Sequence, residues 1–475
     1  MSAWARTVAI AAAIACVRVV SPWNLDGQAA PAPPRPSVGA LTPAPALAPV
    51  ETTLANGVRL VTLTHGRTPK ALIQVVVETG AEQADQCRLT RVLADIFGSG
   101  TESLSGAALT DSIAHMGGAL AVSARPEGIE LTLEVLSPYS APAIELLGHI
   151  VRAPRFDTVT TSMAVQSVAE RGPRAGSEVS SAAEEAFRTA LFPAGEFGRP
   201  CAAGAPGAAY TPSAIRHFYA ARATGGHTTV YVVGQFSRAT AGGAVARAFG
   251  DLPRGEGGAA RADAGAAPPP SLQIVQRPGA KQVALMVGER VPGPSDSDYT
   301  RLRVANALLG GSLISRITMN IREAHGYAYA PASDLVATPS GEAYWAEATN
   351  VAAPVAWPAL REILKEVARL GMDAPADSEL MGTQRYVIGR TLVTRATRAG
   401  ALDALEATGA GRGGDDAGPL LGVTPGEVRR VVGSYIAPRD LTIVLAGDTT
   451  AMGGQMADLR RGVAALRSGQ PDGAR

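Results

Sequence analysis

One stretch of this chain occurs twice. Thr211 to Gly234 aligns without a gap with Thr424 to Gly447, 213 residues further on. Each copy opens on Thr-Pro, Thr211-Pro212 or Thr424-Pro425. That pair starts a helix: a threonine hydroxyl accepts from the first free amides, and proline fills a first turn that needs no amide. Each copy then passes an arginine, Arg216 or Arg429, and runs into a β-rich strand, Thr229 to Val233 or Thr442 to Ala446, that ends on glycine. A helix and a strand repeated in this order imply two copies of one domain, and 475 residues are too many for a single ordinary core. The Pro, Gly and Ala-rich stretch 251–271 reads as the linker between them. It separates an N-terminal domain over 50–250 from a C-terminal domain over 272–448, with 449–475 left as a tail.

Periodicity fills in both halves. Val58 to Leu63 and Ala71 to Val77 are β-branched runs bounded by Asn56-Gly57 and Gly66, a pair of strands. Leu89, Val92, Leu93, Ile96 and Phe97 then fall at helical spacing and stop at Gly98 to Gly100. Further helices are expected at 105–116, 138–152 and 160–171, with strands at 119–124 and 129–135. After the linker the pattern restarts with strands at 271–275 and 282–287. Helices at 297–309, 313–325, 356–370 and 377–395 and a strand at 441–445 follow. Strands alternating with helices predict a mixed α/β (α+β) fold, each domain a sheet packed with helices.

Arg6 precedes the apolar run Thr7 to Val17, which Arg18 interrupts, so the run is too short to span a membrane and reads as an export leader. Gly27-Gln28-Ala29 offers a small-x-small cleavage site, giving a signal peptide over 1–29 and a Pro/Ala-rich linker over 30–49. The imperfect lipoprotein box Ala13-Ile14-Ala15-Cys16 competes with it. The expected location is periplasmic or otherwise exported, with membrane attachment only if Cys16 is lipidated. Cys87 and Cys201 are then the remaining cysteines, neither a disulfide framework nor a thiolate metal site, and their pairing stays open. A formal net charge of +1 gives no electrostatic reason to expect nucleic acid as a partner.

The second half carries the most specific motif. Leu309-Gly310-Gly311-Ser312-Leu313-Ile314-Ser315-Arg316 opens a helix that runs to Arg322-Glu323-Ala324-His325-Gly326-Tyr327-Ala328-Tyr329. Gly310, Gly311 and Ser312 supply a loop and a helix cap, and their backbone groups are candidates to line a peptide path. Arg322 falls in the last turn of a helix that Gly326 ends, and Tyr329 is expected to begin the next strand at the same edge. His325 reads as an exposed helix-end cation.

The order of these pieces resembles the M16 family of inverted-motif zinc peptidases over about residues 50–448. In catalytic members the helix after the first strand pair carries His-x-x-Glu-His, two imidazoles one turn apart for zinc and a glutamate for the attacking water. On the frame of Gly80 and Gly100-Thr101 those positions fall on Arg91, Val92, Leu93, Ala94 and Asp95. Neither histidine is there, nor the glutamate. Glu170 lies roughly where the family has its third ligand, and Arg91 and Asp95 are expected to form a solvated helix-face ion pair. The six histidines, His65, His115, His149, His217, His227 and His325, are too far apart in sequence to form a local ligand pair.

The Gly-Gly-Ser turn and the Arg-Glu-x-x-Gly-x-Ala-Tyr run are similar to the family's second-domain signature, although Tyr327 stands where the family usually has leucine. Position by position, the resemblance carries that signature's Arg and Tyr onto Arg322 and Tyr329. It implies two homologous domains forming half of a clamshell, no zinc bound by this chain, and a zinc-bearing homologue as partner in cleaving a peptide substrate. The alternative is an inactive pseudo-peptidase that binds peptides or scaffolds a complex.

Overall fold

The computed structural model describes residues 47–80, 88–125, 128–170, 178–193, 210–255, 266–337, 341, 343–409 and 417–468. The leader with Cys16, the cysteines Cys87 and Cys201, and residues 256–265 of the linker lie outside them.

Six strands make the first sheet: β1 (Val50–Thr53), β2 (Arg59–Thr64), β3 (Lys70–Glu78), β4 (Ala119–Arg125), β5 (Gly128–Leu136) and β6 (Thr228–Gly234). Their spatial order is β1-β2-β6-β3-β5-β4, and all neighbours are antiparallel except β2 and β6. The second sheet is built from β7 (Leu272–Gln276), β8 (Gln282–Val291), β9 (Ala332–Ala337), β10 (Ala343–Ala352) and β11 (Thr442–Gly447), in the order β7-β11-β8-β10-β9. Here too one pair is parallel, β7 with β11.

Without the extra edge strand β1, the two orders coincide. The repeated segment occupies the same place in each, with β6 inserted between β2 and β3 and β11 between β7 and β8. The helices that precede them, α6 (Pro212–Ala220) and α13 (Pro425–Tyr435), both begin on a capping threonine. Thr211 accepts from the Ala214 amide, and Thr424 forms a reciprocal capping box with Glu427. Each repeat also closes on a glycine under the same demand. A Cβ on Gly234 would collide with the Lys70 carbonyl, and one on Gly447 would lie 3.0 Å from the Gln282 carbonyl.

The first sheet packs its inner face on α1 (Leu89–Gly98), α3 (Ser140–Arg152), α4 (Thr158–Glu170), α6 and α7 (Arg238–Phe249). Ile73, Val75, Leu131, Leu133 and Val232 meet Val92, Leu93, Phe97, Ile144 and Leu147 there. A further helix, α2 (Gly106–His115), follows α1 and is capped by Ser105. In the second half α8 (Asp298–Leu309), α9 (Ala356–Met372), α10 (Asp377–Arg395) and α12 (Ala417–Leu421) join α13. The segment expected as a tail over 449–475 contains a further helix, α14 (Gln455–Ser468). It buries Leu459 and Val463, and Gly462 gives room to the Trp357 ring of α9.

Two helices cross over. α5 (Glu178–Leu191) belongs to the first half by sequence, yet Val179, Ala182, Ala183, Phe187 and Leu191 cover Ala284, Met286, Tyr344, Val444 and Ala446 of the second sheet. α11 (Arg398–Gly409) comes from the second half and places Ala401, Leu402 and Leu405 on Val61, Leu63, Leu72, Tyr231 and Val233 of the first sheet. Polar ties fix both. Arg398 bonds Glu134 at 2.9 Å and Arg125 bonds Glu406 at 2.9 Å, while Ser180 and Asn350 bond each other at 2.9 Å. Each sheet's second face is thereby closed by the other half's helix, so neither half buries its apolar surface alone.

Candidate functional site

The degenerate helix α1 is apolar where it meets the sheet and offers a metal only the carboxylate of Asp95 at the inverted-motif positions. Val92 and Leu93 are fully buried, Ala94 is buried beside them, and Arg91 is exposed. The expected pair between Arg91 and Asp95 does not form. Arg91 makes no hydrogen bond or ion pair among the described residues, whereas Asp95 has another partner, and its carbonyl accepts from the Ser99 hydroxyl at 2.7 Å. Two flexible chains held one turn apart in water gain little, about 0.3–0.5 kcal/mol, so the solvated arrangement is no surprise. Guanidinium, methyl and a single carboxylate do not fit a zinc ion, which needs imidazole or thiolate donors converging from several sides. The side chain of Glu170 lies outside the described residues.

In the second half the structure brings Arg322 and Tyr329 together. The helix expected over 313–325 begins later, at Arg316, and is π-wound from Thr318 to Ala324. The looser winding shows in its terminal bonds, His325 amide to the Asn320 carbonyl at 3.0 Å and Tyr327 amide to the Ile321 carbonyl at 2.7 Å. Asn320 fastens the segment to α9 through Glu362 at 3.0 Å and Glu366 at 2.8 Å. Gly326 then turns the chain in the left-handed region, at φ 65°. Ala328 is buried and bridges to Val351 of β10, so the strand expected to begin at Tyr329 starts instead at Ala332. Held between these two anchors, Tyr329 stands 84% exposed. The Arg322 guanidinium lies over its ring, 5.2 Å from the centroid, and reaches Glu323 at 3.2 Å. The Tyr329 hydroxyl makes no hydrogen bond among the described residues. His325 is exposed and stacks on Tyr327 at 4.9 Å.

The glycine-rich turn precedes this segment. Gly310 is buried and Gly311 and Ser312 are half-buried. Ser315, not Ser312, stands at the helix start, where its carbonyl accepts from the Met319 amide and its hydroxyl donates to Thr318 at 2.9 Å. Ser312 supplies its carbonyl to the Ser315 amide and the Thr318 hydroxyl. A two-pronged ion pair from Arg316 to Glu379 of α10, at 2.7 and 2.8 Å, locks the end of the turn. That guanidinium holds the Glu379 carboxyl below the usual range.

Beneath Gly310 lies a group that the sequence did not single out. Glu347 of β10 is wholly buried, and neither carboxyl oxygen finds a hydrogen bond of normal geometry. A Cβ on Gly310 would collide with its Oε2 and stand 2.7 Å from Ser333 Oγ. Burial raises the Glu347 carboxyl well above the usual range, the charge of Asp334 adds to this, and the Ala332 amide pulls the other way. A faint signal existed: Trp345, Glu347 and Thr349 alternate with Ala346 and Ala348, which places an acid on one face of an apolar strand.

Comparison with known proteins decides the family. The first half matches the model of Insulinase (Peptidase family M16) over residues 59–203, and the model of the Peptidase M16 inactive domain matches residues 209–383. The chain belongs to the M16 family. Curated relatives include uncharacterised zinc proteases of Mycobacterium bovis and Mycobacterium tuberculosis, each 27% identical over 303 residues, 62% of this chain and 68% of theirs. Among solved structures, a peptidase M16 inactive domain from Pseudomonas fluorescens superposes with a TM-score of 0.73 at 19% identity, covering 85% of this chain and 99% of that one. A protease from Helicobacter pylori gives a TM-score of 0.73 at 15% identity, with the same coverage. At these identities the likeness is one of fold: this M16 chain has the two-sheet, clamshell-type α/β architecture of its relatives.

Proposed function

We propose that this M16 chain is the non-zinc subunit of a two-chain peptidase, presenting Arg322 and Tyr329 to a peptide whose zinc is held by a homologous partner. One observation supports this above the others. A tyrosine that is 84% exposed, with a hydroxyl that makes no hydrogen bond among the described residues and a guanidinium over its ring, is held between a left-handed glycine and a bridged alanine. A side chain serving packing alone would be covered. Exposed Leu313 and Ile314 on the neighbouring turn add apolar surface of the kind a peptide or a partner chain covers.

The chemistry follows from the groups. Attack on a scissile carbonyl builds charge on its oxygen, and a phenol donates a hydrogen bond to that oxygen. A fixed guanidinium holds the carbonyl of the substrate with directed N–H groups. Gly310, Gly311 and Ser312 border the substrate's path beside them. With Arg91, Ala94 and Asp95 in the inverted-motif positions, the chain supplies no metal of its own and is inactive alone. Export to the periplasm accompanies this role, carried by the Arg6-led apolar segment, with lipidation at Cys16 as the variant that tethers it.

The test is Tyr329→Phe in a reconstituted complex with a zinc-bearing M16 homologue from the same source. The ring stays and the exposed hydroxyl goes, so unfolding and co-elution should not change, while turnover falls on the order of 100- to 1000-fold. Turnover at the wild-type rate would make the pair structural and favour a peptide-binding or scaffold role. Arg322→Lys separates charge from the planar fork, and a large loss shows that directed hydrogen bonds are needed.

A further inference from the structure

Behind the glycine-rich turn, α8, α10 and α11 enclose a cavity of about 430 Å³ that Gly311 also lines. Arg303 of α8 and Arg390 and Arg395 of α10 bring three guanidinium groups, against the two carboxylates of Asp334 and Asp403. The hydroxyls of Thr391 and Thr394 lie on the same α10 wall. Arg390 makes no hydrogen bond or ion pair among the described residues.

At the floor, the core orients a further donor. Asn306 Oδ1 accepts from the buried Trp345 Nε1 at 2.9 Å and from Ser333 Oγ at 2.7 Å, which saturates the acceptor side of the amide. The NH2 group is left on the cavity side, next to Gly311. A buried tryptophan and serine thus fix the direction of an amide whose remaining function is to donate. The Arg390 guanidinium fork, hydroxyls and an oriented NH2 around a cleft of this size match a small planar oxyanion.

We infer that this cavity binds a carboxylate of the peptide that lies along the Arg322 and Tyr329 face, either its C-terminal carboxylate or an acidic side chain. The inference rests on the peptide-handling reading above for the identity of the ligand. Gly311 belongs to both places, so a peptide that passes the turn can set a carboxylate into the cavity.

The test uses the purified full chain and fluorescence anisotropy of a short peptide labelled at its N-terminus. The peptide is made as free acid and as C-terminal amide, each with and without one internal glutamate. At least one carboxylate form should bind about 10- to 100-fold more tightly than the amide without glutamate, the loss expected for a charge-assisted contact. Which form gains assigns the source. Arg390→Gln should abolish that preference and leave the uncharged peptide's affinity unchanged. Equal binding of all four peptides overturns the inference. So does a loss that is the same for all four in Arg390→Gln, or no binding at millimolar peptide. None of these readings involves turnover, so a failure here is distinct from a failure of Tyr329→Phe to slow the reconstituted complex.

Discussion

Phe187→Ala tests the exchange of helices. Phe187 is in the first half by sequence but fully buried on the second sheet, edge-on to Tyr344 at 5.7 Å. Gly288 of β8 leaves space for it, since a Cβ there would stand 2.8 Å from Phe187 Cζ. Truncating a fully buried phenylalanine whose neighbours are fixed strands costs about 3–5 kcal/mol in transfer and cavity terms. If that energy holds α5 on the second sheet, the sheet's opening becomes easier by the same amount, or roughly 150- to 4000-fold in amide exchange. Hydrogen exchange read by mass spectrometry on peptides covering β8, β10 and β11 should show that acceleration, while β3 and β5 keep wild-type protection. Faster exchange in β3 and β5 with an unchanged second sheet would refute the crossed arrangement. A loss below about 1 kcal/mol would refute the burial argument.

Burial, with a further contribution from Asp440, holds the Glu289 carboxyl up at about 7 from its ordinary 4.5, against the pull of the Arg290 amide and charge. The folded state therefore keeps a proton that the unfolded chain gives up, so this stability is full below pH 4.5 and is lost as pH rises towards 7. Glu289→Gln should gain about 1–2 kcal/mol over wild type above that range, after allowance for its partial solvation, and flatten the unfolding profile; parallel profiles would contradict this. Gly310→Ala forces a methyl against Glu347 and Ser333 and should cost about 1–3 kcal/mol in denaturant unfolding, with a neutral result excluding the close packing of the turn. Elemental analysis of the purified chain should find no stoichiometric zinc, and one zinc per chain that survives a mild chelator would overturn the account of Arg91, Ala94 and Asp95.

The parts of the fold that the sequence announced are those with local chemistry. Thr424-Pro425 and Thr211-Pro212 start helices for reasons contained within one turn, and the apolar stripe from Leu89 to Phe97 states both its period and its end. What stayed hidden depends on contacts remote in sequence. Neither α5 nor α11 was assigned, and no apolar stripe says which sheet a helix will cover. β10 escaped because Ala343, Ala346 and Ala348 have little strand preference and Glu347 breaks the apolar pattern. At the site, Arg322 and Tyr329 were legible as a motif, but their contact depends on the π-winding that Asn320, Glu362 and Glu366 hold in place. The cap was misassigned to Ser312 because a serine after two glycines reads as a helix start; the helix starts three residues on, after Ser315, whose hydroxyl donates to Thr318 and caps no amide.

The proposed role requires that this M16 chain work only with a zinc-bearing homologue. Peptide hydrolysis measured for the purified chain, for the homologue, and for the two together tests it most directly. Turnover is expected only in the mixture, abolished by chelation and restored by zinc. Hydrolysis by this chain alone, or by the homologue at the rate of the mixture, would contradict it.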